Sequence, residues 1–134
     1  MIRTISAVLL LSIALGGCKV IVVAPPHVAV VSEDMEFACM PGQTCEIDVS
    51  DYNFDMVLYA VPKPGYSFLY WKSGAENICP GFYSNKCHIS TLGADHSNEA
   101  FNELLSSERR FYLEPVYRRD ETAPEVDWKS IEGG

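Results

Sequence analysis

The chain has 134 residues and a formal net charge of −8, from 10 Lys and Arg against 18 Asp and Glu. That length suits a single domain. Acidity without any block of Lys or Arg opposes binding to nucleic acid or to anionic headgroups, so no nucleic-acid partner is expected.

The chain opens Met1-Ile2-Arg3-Thr4, with one positive charge, and continues in an apolar run from Ile5 to Leu15 broken only by Ser6 and Ser12. A bilayer span needs about 20 apolar residues, so this run is too short to be one. A basic start, a short apolar middle and small residues at the end describe a secretory signal peptide. Its end, Leu15-Gly16-Gly17-Cys18, resembles the lipobox of bacterial lipoproteins. The resemblance implies cleavage before Cys18 and lipidation of that cysteine, with palmitate among its acyl groups. Residues 1–17 are then the removed signal, leaving 117 residues with a charge of −9 once Arg3 is lost. Because that domain is acidic, the membrane partnership must come through the acyl chains on Cys18. Position 19 is Lys rather than Asp, which in a two-membrane host resembles lipoproteins forwarded to the outer membrane. A cell-envelope location follows, on either its periplasmic or its surface face.

Four further cysteines, Cys39, Cys45, Cys79 and Cys87, read as a disulfide framework in an oxidising compartment. Of three pairings, Cys39–Cys45 and Cys79–Cys87 are favoured, because each pair lies within one candidate loop. Closing loops this short stabilises by roughly 2–3 kcal/mol each in the chain-entropy description.

Lys19 to Val23 is short and β-branched and predicts a first strand, ended by Pro25-Pro26. Val28 to Val31 predicts a second. The absence of a Ser/Gly spacer after Cys18 predicts a domain close to the membrane. Cys45 to Val49 alternates as a short strand. Tyr52 to Ala60 is the clearest, with Tyr52, Phe54, Met56, Leu58 and Ala60 all apolar. Lys63-Pro64-Gly65-Tyr66 suits a type II turn, and Tyr66 to Trp71 is expected to return as the hairpin partner. Gly74 to Asn85 reads as a loop held by the second cysteine pair. Ser97 suits the N-cap of a helix to about Ser107, with Arg109 and Arg110 beyond its end complementing the helix dipole. Phe111 to Tyr117 is expected to close the domain as one strand, with Pro115 marking an edge. Residues 118–134 form a mobile, acidic tail in this reading. The expected fold is therefore α+β, mostly antiparallel, with one short helix and two disulfides.

Three stretches together resemble a known family. Cys39-Met40-Pro41-Gly42-Gln43-Thr44-Cys45, then Ala60 to Trp71 as A-x-P-x-x-G-x-x-F-x-x-W, then Cys79 and Cys87 are similar to a divergent internalin-type B-repeat. The likeness covers about residues 19–117. It departs in being a single copy and in the helix-bearing segment from Gly93 to Ser107. The resemblance implies a β-grasp-like domain, 18–117, used as a spacer or binding unit, with no catalytic residue.

Chemistry-bearing residues are few. Cys79, Cys87, His88 and His96 raise the alternative of a metal-binding lipoprotein, but the cysteine spacing departs from structural zinc knuckles, and no metal or other cofactor is expected. Asp95-His96 and His88 raise the alternative of a small hydrolase-like envelope enzyme, for which no activated Ser or Cys is legible. The remaining group is aromatic: Tyr66, Phe68, Tyr70, Trp71, Phe82 and Tyr83. Strand geometry places Tyr66, Phe68 and Tyr70 on one face and Trp71 on the other. A binding site for an envelope protein or glycan is therefore expected at Trp71, Phe82 and Tyr83.

Overall fold

A computed structural model describes residues 17–49, 53–92, 99, 103 and 107–122. Their strands are β1 (Cys18–Val23), β2 (Val28–Ser32), β3 (Ala38–Cys39), β4 (Thr44–Val49), β5 (Asp55–Pro62), β6 (Tyr66–Trp71), β7 (Lys86–Ser90), β8 (Arg110–Leu113) and β9 (Pro115–Arg119). They form three sheets, ordered β4-β1-β8, β3-β2-β5-β7 and β6-β9. Every pairing is antiparallel except β1 with β8.

The described part is thus nearly all β, which corrects the α+β expectation. In β4 and β5 burial recurs at every second position, the period of a strand rather than of a helix, and β1 and β2 are short β-branched apolar runs. Apart from Glu99, Glu103 and Ser107, the helix expected from Ser97 lies outside the described residues, as do Asp95 and His96.

In β5 the even positions Leu58, Ala60 and Pro62 are buried while Asp55 is exposed. In β4, Ile47 and Val49 point inward and Glu46 and Asp48 outward. Leu58, Ala60, Ile47 and Val49 meet Val20 and Val22 of β1, Val28 and Val30 of β2, Trp71 and Leu113 in one core. Pro25 and Pro26 supply no N–H for a ladder, and the Val28 N–H turns back to the Pro25 carbonyl at 3.2 Å. The chain crosses there from the sheet of β1 to that of β2.

Both disulfides pair as the sequence favours, Cys39–Cys45 and Cys79–Cys87. The first joins β3 to β4 and so ties two sheets together. Cys39 and Cys87 are fully buried, so the bridges are core elements as well as staples.

The turn after β5 forms as expected: the Tyr66 N–H donates to the Lys63 carbonyl at 3.1 Å, and Gly65 has φ +87°. The hairpin does not. Tyr66 to Trp71 pairs with β9, and the second edge of β5 is taken by β7, with Asp55 opposite Ser90 through Tyr59 opposite Lys86. The Ala60 N–H extends that occupation by donating to the Asn85 carbonyl at 2.9 Å. With β2 on its other edge, β5 has no free edge for β6, and the turn hands the chain to a different sheet.

The expected closing strand divides into β8 and β9 at Glu114, whose carbonyl accepts the Lys72 N–H at 2.8 Å. Pro115 is the first residue of β9, which among the described strands pairs only with β6, so its place at a strand start accommodates the missing donor. The strand runs on to Arg119, and the Asp120 N–H donates to the Gly65 carbonyl at 2.7 Å. β9 therefore runs two residues past Tyr117, into the stretch read from the sequence as tail.

Candidate binding surface

A register shift between Phe68 and Tyr70, with Leu69 as the additional residue, redirects the aromatics of β6. In a regular strand Phe68 and Trp71 would face opposite ways. Here their rings meet edge to face at 5.3 Å, and Trp71 is wholly buried. Trp71 is therefore a core residue, which corrects its expected place on the binding surface. Its indole Nε1–H donates to the Ser84 carbonyl at 2.9 Å, satisfying the one polar atom such a side chain buries. Tyr66 goes elsewhere, stacked on His27 at 4.0 Å, with Tyr117 edge-on to both. Sequence reasoning missed that cluster, because His27 comes from the corner between β1 and β2.

Tyr70 is the aromatic of β6 that turns outward, and it meets Tyr83 edge to face at 6.3 Å. Phe82 is 55 % exposed and Tyr83 83 % exposed. Large aromatics this open form the outward surface of the loop.

The loop carrying them is held by its backbone. The Trp71 N–H donates to the Phe82 carbonyl at 3.0 Å, and the Gly81 N–H returns to the Trp71 carbonyl at 2.8 Å. The Phe82 N–H reaches the Cys79 carbonyl at 3.2 Å, and the Lys86 N–H reaches the Ser84 hydroxyl at 3.2 Å. Gly81 has φ +73°, and a Cβ there would stand 3.1 Å from the Ser73 hydroxyl, so glycine suits that position. The Ile78 N–H donates to the Tyr112 carbonyl at 2.8 Å, fastening the loop's first half to β8. With the Cys79–Cys87 bridge, this arrangement lowers the ordering entropy that binding must overcome.

His88 lies on β7 with its Nε2 2.5 Å from Asp55 Oδ1 across the β5–β7 ladder, both side chains about half exposed. Hydrogen bonding from His88 holds the Asp55 carboxyl below the ordinary aspartate range; partial burial opposes the shift and a hydrogen bond from Ser90 reinforces it. A hydrolytic triad needs the histidine between carboxylate and hydroxyl, whereas here the carboxylate stands between His88 and Ser90. Asp55 also lines a shallow cavity of about 110 Å³ with Ser32, Glu33, Asp34, Met56 and Val57. The Cys79 and Cys87 sulfurs are bonded to each other, so neither is a thiolate ligand in this state.

Because its folded pKa is depressed, the contribution of Asp55 is present above the ordinary aspartate pKa near 4 and fades as pH falls through the lower folded value. An NMR titration should place the Asp55 midpoint below that of a model peptide, and His88→Ala should move it upward. An unmoved midpoint in that variant would contradict the pairing.

Cys18 begins β1 opposite Val49, is 4 % exposed, and lies outside both disulfides. Burial pushes its thiol pKa up, while a hydrogen bond with Ser107 and the charge of Arg109 pull the other way. No helix among the described residues is long and apolar enough to cross a membrane. No protein-family model matches the chain, and neither does any curated protein or any solved structure.

Proposed function

We propose that this protein is a lipid-anchored, non-enzymatic module of the bacterial cell envelope that holds a protein or glycan neighbour at its aromatic loop. The observation that carries this reading is the outward aromatic group made by Tyr70 at the end of β6 with Phe82 and Tyr83 on a loop clamped by a disulfide and by buried Trp71. Exposed aromatics on a rigid support are the residue types that dominate binding energy.

The anchor half of the reading rests on the lipobox and the signal-like residues before Cys18. β8 runs parallel to β1, with Lys19 opposite Arg110 and Val22 opposite Leu113. The aromatic loop joins the Leu113 end, since Trp71 pairs with Pro115. Four residues of strand carry that end about 13 Å from Cys18, so an anchored domain presents the loop away from the bilayer. A single B-repeat-like, β-grasp-like unit suits such a spacer, and β1 between an antiparallel and a parallel neighbour is in keeping with it.

The competing enzyme reading draws on the His88–Asp55 contact, which lies on an open strand face. Labelled palmitate tests the anchor. It should enter the wild-type protein and not Cys18→Ser, and equal labelling of the two would overturn this half of the proposal.

A further inference from the structure

The start of β8, with Arg109 immediately before it, comes beside Cys18 across some ninety residues of sequence. The Lys19 N–H donates to the Arg109 carbonyl at 3.0 Å, and Lys19 is the register partner of Arg110. The Arg109 guanidinium lies 5.3 Å from the centre of the Phe111 ring, a contact that orients it. Lys19 is already engaged, at 3.2 Å from Glu46 and 3.4 Å from Asp48. Among the described residues neither arginine enters an ion pair, although exposed Glu108 is adjacent in the chain. In an acidic protein the fold therefore gathers two cations at the end from which the anchor would leave.

We infer that Arg109 and Arg110 form a seat for phospholipid headgroups, binding lipid phosphate and fixing the angle at which the anchored domain stands. The inference rests on lipidation of Cys18. A diacylglyceryl group on the Cys18 sulfur is incompatible with the burial of that side chain, so acylation lifts Cys18 out of its pairing with Val49. Lys19 stays, held by Glu46, Asp48 and the Arg109 carbonyl. The acyl chains then depart within one residue, about 3.3 Å of strand, from the Lys19–Arg110 pair. At that distance the guanidiniums reach the headgroup layer, where each basic residue contributes about 1 kcal/mol of attraction to anionic lipid. Guanidinium also matches phosphate with paired, planar hydrogen bonds.

The test uses the full lipidated protein in vesicles of phosphatidylethanolamine and phosphatidylglycerol, with Cys18→Ser protein free in solution as reference. Phenylglyoxal modifies arginines, and peptide mapping gives a rate at each one. Arg109 and Arg110 should react about fivefold more slowly in the anchored protein, while Arg118 and Arg119 keep their rates. Millimolar inorganic phosphate should not protect the Cys18→Ser protein. Equal rates for anchored and free protein at Arg109 and Arg110 would overturn the inference. So would equal slowing at Arg118 and Arg119, or protection by inorganic phosphate alone. The mass of the Cys18 peptide, read first, separates the two failures: an unlipidated peptide removes the anchor reading and this inference with it, whereas a lipidated peptide with unprotected arginines removes only the inference.

Discussion

Trp71→Ala is expected to destabilise the domain by about 3–5 kcal/mol, the range for truncating a fully buried large aromatic. Three losses combine at this position. The side chain is wholly buried in the core that includes Leu58 and Leu113. Its edge-to-face contact with Phe68 disappears. The Ser84 carbonyl loses the indole donor that pins the loop, although the backbone bonds between Trp71, Gly81 and Phe82 survive the substitution. Domains of this size have total stabilities of about 5–15 kcal/mol, so the variant should stand near the edge of folding. A melting temperature lower by ten degrees or more follows, at about 4–8 °C per kcal/mol for a domain of this class. Trp71→Phe keeps most of the ring and removes the N–H, so its cost should be smaller, about 1–3 kcal/mol. Denaturant unfolding of both variants checks the ordering. A Trp71→Ala protein as stable as wild type would show that the indole is not the core residue described here.

The fate of the β6 aromatics shows what the sequence could and could not reveal. Alternation gave the inward face of β5 correctly at Leu58 and Ala60, because a period of two is a local property of the backbone, while Tyr52 lies outside the described residues. The cysteine pairs were legible for a similar reason: six and eight residues of separation confine each bridge to one loop. The partner of β6 was not legible. A Pro-Gly turn between two apolar runs describes a hairpin, and nothing local says that Asn85 to Ser90 will occupy that edge of β5. The additional residue at Leu69 was equally hidden, and it decided which aromatics face the core. Regular alternation alone therefore places Trp71 at the surface, whereas Tyr70 is its outward neighbour.

Among the surface residues, Phe82 and Tyr83 carry over directly from sequence to structure, since a Gly-, Ser- and Asn-rich loop rarely buries all it contains. The A-x-P-x-x-G-x-x-F-x-x-W pattern also acquires a physical reading. Ala60 and Pro62 are buried, Gly65 takes the positive φ of the turn, and Phe68 and Trp71 share a core contact made reachable by the register shift. All five positions serve the fold, and none supplies the exposed surface of the loop. Arg109 and Arg110 show the opposite case. Along the chain they suit the end of a helix, yet the parallel pairing of β8 with β1 brings them to Cys18.

The most direct measurement compares wild type with Phe82→Ala/Tyr83→Ala, reading crosslinked partner in the native envelope and melting temperature together. Both rings stand largely in solvent, so their removal should cost no more than about 0.5 kcal/mol each, as at other surface positions away from core features. Losing two anchor aromatics at the centre of an interface costs about 2 kcal/mol or more apiece, enough to abolish capture at native concentrations. The double variant should lose the partner adduct while its melting temperature stays within a few degrees of wild type. An undiminished adduct in the double variant, or a stability loss of the size expected for Trp71→Ala, would contradict the binding reading.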